Sequence, residues 1–177
     1  MDHHQDRSDL GYLLRGDNKQ KQVYAAIHTC RAMELLSAFD PTLTGTYPIG
    51  IHLPDSDIDI ICHYAREELF ENVLVNAFGF REGFELTRKT IRGEACIISR
   101  FNHNGFLFEI FGQDRPVVEQ YAFRHMLMEH KILSEKDPAF RYELIRLKEK
   151  GLSTEEAFCT LLGIDGDPYV ELLRLET

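Results

Sequence analysis

Basic residues are scarce in this chain of 177 residues, where 20 Lys and Arg stand against 29 Asp and Glu for a formal charge of -9. A surface of that sign argues against long nucleic acid or an anionic membrane as partners, because both are held by a basic field. A compact basic pocket inside an acidic shell stays open. Cysteine is sparse too: Cys30, Cys62, Cys96 and Cys159 contain no CxxC pair. Neither a disulfide framework nor a zinc site is indicated, and four reduced thiols are expected. No apolar run approaches the roughly 20 residues of a membrane span. The start, Met1 to Asp9, is polar and charged, so a cytoplasmic protein with no membrane partner is expected. His3 and His4 in that start resemble a metal pair or a tag remnant, but a disordered terminus is the expectation. Repeats and low-complexity tracts are absent as well.

What is there suffices for a core, since 44% of the residues are hydrophobic and the length suits one domain. Val23, Ile27, Cys30, Met33 and Leu36 recur at helical spacing, which predicts one long helix from Lys19 to Phe39, capped by Asp17 or Asn18 and closed before Pro41. Residues 41–54 have the composition of short strand, turn and loop. A strand follows at Asp57 to Cys62, then an amphipathic helix from Glu67 to Phe78 ending at Gly79. Three more strands are expected at about Phe84–Ile91, Ala95–Phe101 and Phe106–Phe111. They are broken by Arg92-Gly93-Glu94 and by Asn102-His103-Asn104-Gly105, whose Asn-Gly is a hairpin signal. Beyond Val117 the chain reads as helices: to about Ser134, Pro138–Lys150, Ser153–Leu162 with a Ser153/Glu156 capping box, and Pro168–Leu175. The fold class is α+β: a mixed sheet of about five strands backed by helices, with a helical C-terminal third. A single domain is expected over 1–177, with a core at 17–115 and a helical subdomain at 116–177.

The chemistry concentrates in carboxylates. Asp57-Ile58-Asp59-Ile60 alternates, so a strand places both aspartates on one face with backbones about 6 to 7 Å apart. Like charges that close, beside isoleucines, are unfavourable unless a cation joins them. Glu109 lies in Phe106-Leu107-Phe108-Glu109-Ile110-Phe111, the most apolar strand, both sides of which read as buried. An acid there needs a partner or a task. The bland readings are an exposed edge-strand face for the aspartates, and for Glu109 an ion pair with Arg88 or Arg100. Arg81 to Arg100 holds five basic and three acidic residues, and Arg88, Lys89, Arg92 and Arg100 are candidate phosphate cations or ordinary strand charges. Tyr121, His125 and Glu129 share a helix face, with Arg124 adjacent; they read either as an acceptor or base-binding surface or as a hydrogen-bond ladder.

Leu43-Thr44-Gly45-Thr46, a spacer of ten residues and then Asp57-Ile58-Asp59-Ile60 resemble the signature of polymerase-β-like nucleotidyltransferases. Pro54-Asp55-Ser56-Asp57-Ile58-Asp59 resembles the minimal nucleotidyltransferases of bacteria and archaea, and Phe108-Glu109-Ile110 matches the family's third carboxylate. The chain as a whole is similar to a family of small bacterial proteins of unknown function assigned to that superfamily. The resemblance implies metal ligation by Asp57, Asp59 and Glu109, with Mg²⁺ as cofactor and Mn²⁺ as the alternative ion. It implies a nucleoside triphosphate held at Gly45, Thr46 and Ser56 with help from Arg88, Lys89 and Arg124, and transfer of a nucleoside monophosphate to an unidentified hydroxyl of a small molecule or protein. The acidic surface favours a cationic small acceptor. A silent nucleotide- or protein-binding module and a metal-dependent phosphoester hydrolase are the other readings. The departure from the pattern is Tyr47-Pro48-Ile49-Gly50-Ile51, which stands where the family has a basic, helix-starting stretch.

Overall fold

A computed structural model describes residues 9–176, so His3 and His4 lie outside the described residues. Helix α1, Asn18–Cys30, starts at a reciprocal cap: the Asp17 carboxylate accepts from the Gln20 amide at 2.8 Å, and the Gln20 side chain accepts from the Asp17 amide at 2.9 Å. The single helix expected to Phe39 is in fact broken. Arg31 adopts a left-handed conformation (φ 58°), and a short α2, Ala32–Leu35, and one 3₁₀ turn follow. A non-glycine residue there costs of the order of 1 kcal/mol, and the redirected chain buries both Ala32 and Leu36 completely. That burial outweighs the strain.

Five strands form one sheet: β1 Thr42–Thr44, β2 Ile58–His63, β3 Glu85–Ile91, β4 Glu94–His103 and β5 Phe106–Gln113, in the order β1-β2-β5-β4-β3. Only β2 and β5 run parallel; the other pairs are antiparallel. Hairpins join β3 to β4 and β4 to β5 through Arg92-Gly93 and Asn104-Gly105, and all four of these residues have positive φ, as a two-residue turn matched to strand twist requires. Helix α3, Glu67–Phe78, supplies the crossover between β2 and the rest.

Alternation then divides the sheet's faces. Leu43, Ile58, Ile60, Ile97, Phe101, Phe108 and Ile110 pack with α1 and α3 into one core, where Phe78, Phe101 and Phe108 stack with ring centroids 4.8 and 5.1 Å apart. A second core lies among α4 (Tyr121–Glu135), α5 (Pro138–Glu149) and α6 (Thr154–Leu162), with α7 at Pro168–Glu171. Ile49 and Ile51, from the loop before β2, are buried in that second core. Arg141 donates to the Ile49 and Gly50 carbonyls and Lys148 to that of Ile51, at 2.7 to 2.9 Å. The stretch that departs from the sequence signature is thus a strut between the sheet and the helices. All four cysteines are buried and unpaired with one another. Among the described residues no helix is long and apolar enough to cross a membrane.

Candidate active site

Strand register sets the site. Thr44 pairs with Asp59, Asp59 with Glu109 and Glu109 with Arg100, so four polar side chains stand abreast across β1, β2, β5 and β4. They occupy the face turned away from α1 and α3. Adjacent strands are about 4.8 Å apart, which brings two carboxylates and a guanidinium into direct interaction. The face opens into a cleft of about 800 Å³ that Asp57, Asp59, Glu109, Arg100, Gly45 and Ser56 line, a volume of the class that holds small-molecule ligands.

Asp59 is the most constrained member. Burial, and then the charges of Asp57 and Glu109, push its carboxyl up to about 8, against the pull of Arg100. Gly45, at φ 73°, lets the backbone come so close that a Cβ there would lie 2.3 Å from Asp59 Oδ2. Beside it, the Thr44 hydroxyl is buried with no hydrogen-bond partner. The loop into Asp57 is stapled: Tyr47 donates its phenol to the Ser56 carbonyl at 2.8 Å, and the Ser56 hydroxyl accepts from the Leu53 amide at 2.9 Å. Thr46 reaches that hydroxyl at 3.5 Å. Gly45, Thr46 and Ser56 therefore gather at the end of the cleft where the aspartates sit.

Glu109 departs from expectation on two counts. Its face is not buried: Leu107 is exposed and Glu109 itself only partly covered, because this side of β5 looks into the cleft. Its carboxylate also turns along the sheet onto Arg100, with Arg100 Nε at 2.8 Å and the terminal nitrogen closer still. The ion pair offered as the bland reading is present, and it lies within the cleft. Among the described residues, the group whose ligand atoms all lie within 4.8 Å of one another is His125, Glu129 and Glu155.

Two of the expected phosphate cations are placed elsewhere. Arg88 pairs with Ile97, on the α3 side of the sheet, and is held by Glu71 at 2.5 Å and Glu67 at 3.2 Å. Arg124 turns out of the cleft onto Glu176, with its guanidinium 5.7 Å from the Tyr121 ring. Lys89, one residue on from Arg88, does line the cleft, as do Arg92 and Arg115. Arg92 lies over the rings of Tyr121 and Tyr169 at 4.8 and 5.1 Å, and Arg115 pairs with Glu94.

The opposite wall is helical, and Tyr121, His125 and Glu129 face the cleft from α4. No side-chain ladder joins them: both His125 ring nitrogens are buried without a side-chain hydrogen-bond partner. Burial drives Glu129 far toward the neutral acid, reinforced by Glu155, and it lowers Lys148 and His125. Sequence reasoning missed Lys148, Glu155, Gln120 and Tyr169 on this wall. Lys148 carried one signal, its position one turn after Leu144 on the apolar face of α5, where both are buried. Glu155, in the first turn of a capped helix, looked like ordinary dipole compensation.

This arrangement is the fold of the polymerase-β-like nucleotidyltransferases. It superposes on the Cid1 poly(U) polymerase with MgGTP bound at a TM-score of 0.52 and 17% identity, over 78% of this chain and 46% of that one. On the polymerase core of TRAMP, an RNA surveillance complex, the TM-score is 0.53 at 17% identity over 90% and 57%. Cid1 with the UTP analogue UMPNPP gives 0.51 at 18% over 78% and 44%. The chain spans about half the length of these structures. By sequence, residues 25–175 match the family described as Domain of unknown function (DUF4269), and the chain belongs to it. No curated protein matches the chain by sequence.

Proposed function

We propose that the protein is a metal-dependent nucleotidyltransferase that moves a nucleoside monophosphate from a nucleoside triphosphate to a hydroxyl, with pyrophosphate as the leaving group. The observation that carries the reading is the row Thr44, Asp59, Glu109, Arg100 beside Gly45. A carboxyl raised by burial and then by two like charges marks a place where added positive charge is stabilising. The donor set, hard oxygens from Asp57 and Asp59, fits Mg²⁺ or Mn²⁺. Such an ion, when bound, would neutralise charge on the transferring phosphoryl group and polarise it for in-line attack.

The chain's own groups do the remainder. Gly45 and Thr46 offer an amide-rich turn and a hydroxyl to the terminal phosphates, where a bare glycine permits close approach. Lys89 and Arg100 supply positive charge from the sheet. Phosphate oxygens give Arg100 an acceptor that competes with Glu109, and Glu109, so released, takes the proton of the attacking hydroxyl or completes the ligand set. Tyr121 and the helical wall face the base or the acceptor. The neighbours of this fold include a poly(U) polymerase, whereas the charge of -9 here favours a small or protein acceptor over long RNA.

The test uses Mg²⁺, each nucleoside triphosphate labelled at the α-phosphate, and fractionated cell extract as acceptor pool. Wild type should transfer label, and Asp59→Asn should lower transfer by at least about 100-fold, as loss of a charge-stabilising group at a reacting centre does. Transfer that persists in Asp57→Asn/Asp59→Asn removes the assigned site. Metal-linked nucleotide binding without transfer to any acceptor would instead support the silent module.

A further inference from the structure

We propose that His125, Glu129 and Glu155 form a second cation site, on the helical wall of the cleft, built for a transition-metal divalent ion of the Zn²⁺ class. Residues 125 and 129 lie one turn apart on α4 and present side chains to the same face. Glu155 reaches them from the first turn of α6, whose start is fixed by the Ser153/Glu156 capping box. The three ligand atoms lie within 4.8 Å of one another, and His125 and Glu129 are 3% and 4% exposed.

The independent sign is the imidazole. A buried neutral histidine carries one N–H and one bare nitrogen and normally satisfies both. Here neither Nδ1 nor Nε2 makes a hydrogen bond of normal geometry; the Tyr169 backbone lies near enough to act on the ring, and the Tyr169 ring packs against it with centroids 4.4 Å apart. A core histidine kept only for packing would not bring an unsatisfied nitrogen up to two carboxylates. A metal ion would satisfy all three groups together.

The charges facing the cluster leave room for that ion. Lys148, on α5, offsets one carboxylate, but its ammonium already donates to the Ile51 carbonyl at 2.7 Å. Arg124 is engaged by Glu176 and Arg92 by the rings of Tyr121 and Tyr169. Imidazole with carboxylates suits Zn²⁺ or Mn²⁺, whereas Mg²⁺ disfavours nitrogen. Ligands at about 2.0 to 2.2 Å from a tetrahedral ion lie about 3.3 Å apart, so the carboxylates close by at most about 1.5 Å, a side-chain rotation for glutamate. Three protein ligands leave one position open, and these three residues line the cleft.

The test is independent of nucleotidyl transfer. Zn²⁺ binding to the full chain is measured by calorimetry and by metal content after gel filtration, with Co²⁺ absorption as a reporter of nitrogen ligation. Wild type and Asp57→Asn/Asp59→Asn should each retain one equivalent and gain thermal stability with Zn²⁺. His125→Gln and Glu129→Gln should lose at least about tenfold in affinity, the low end of what even an indirect ligand change costs, together with that thermal gain. If His125→Gln does not fold, Glu155→Gln, at a partly exposed position, carries the comparison. Zinc binding that vanishes in the aspartate double variant, survives His125→Gln unchanged, or is absent from wild type overturns the proposal. None of those outcomes bears on transfer by the Asp57/Asp59 site.

Discussion

Gly45 does two things that no other residue could do at its position. It holds φ at 73°, and it leaves Asp59 Oδ2 the space a Cβ would take. Gly45→Ala should lower the folding free energy by about 1 to 3 kcal/mol through strain and overpacking. It should lower transfer by more than that loss explains, because the displaced atom is the carboxylate oxygen itself; urea unfolding and the α-labelled assay separate the two effects. At this scale the sequence was legible where alternation had a clear phase. Ile58 and Ile60 fix one face of β2, so Asp59 must take the other. In β3, where nearly every residue is exposed, no hydrophobic phase separates Arg88 from Lys89, and the two were read as equivalent although they sit on opposite faces. Arg124 failed for a related reason: one position along α4 turns a side chain by about 100°, away from the cleft that His125 faces. Lys148 and Glu155 were invisible because their roles come from pairing across helices far apart in sequence.

Among the elements, the sheet and six of the helix starts or ends follow directly from pattern: the Asp17/Gln20 and Ser153/Glu156 boxes, the prolines opening α5 and α7, and the glycines after α3 and α6. The break at Arg31 was hidden because helical periodicity continues through it, and only the tertiary burial of Leu36 selects the bend. The strut at residues 47–51 stands where the related signature has a basic stretch, and its isoleucines belong to the second core. Ile51, fully buried, should cost about 2 to 4 kcal/mol as Ile51→Ala, measured by chemical denaturation. Lys148→Met should cost about 1 to 3 kcal/mol, since it leaves the buried Ile51 carbonyl without its donor. Within the sheet, a Cβ at Gly112 would meet the Phe70 ring at 2.2 Å; Gly112→Ala is expected to destabilise by about 1 to 3 kcal/mol while leaving the cleft face untouched.

For the molecule as a whole, buried phenols set an alkaline limit. Burial raises Tyr47, Tyr64 and Tyr169 to about 12, against about 10 in an unfolded chain. Below pH 10 both states keep these protons and the difference has no effect. Between 10 and 12 the unfolded chain releases protons that the folded one retains, so stability falls as pH rises. The denaturation midpoint should drop between about pH 10 and 12, and phenolate absorbance should rise in step with unfolding for these three rings. At neutral pH the coupling that matters is mechanical. Three consecutive carbonyls, of Ile49, Gly50 and Ile51, are gripped by Arg141 and Lys148, while the Ile51 amide donates back to Thr46 at 3.1 Å. A shift of α5 is therefore handed, through one short lever, to the very turn that would cradle phosphate. Occupancy on the helical side should be readable as slowed amide exchange at Ile51, and the protein would sense what lies against its helices at the turn proposed to cradle phosphate.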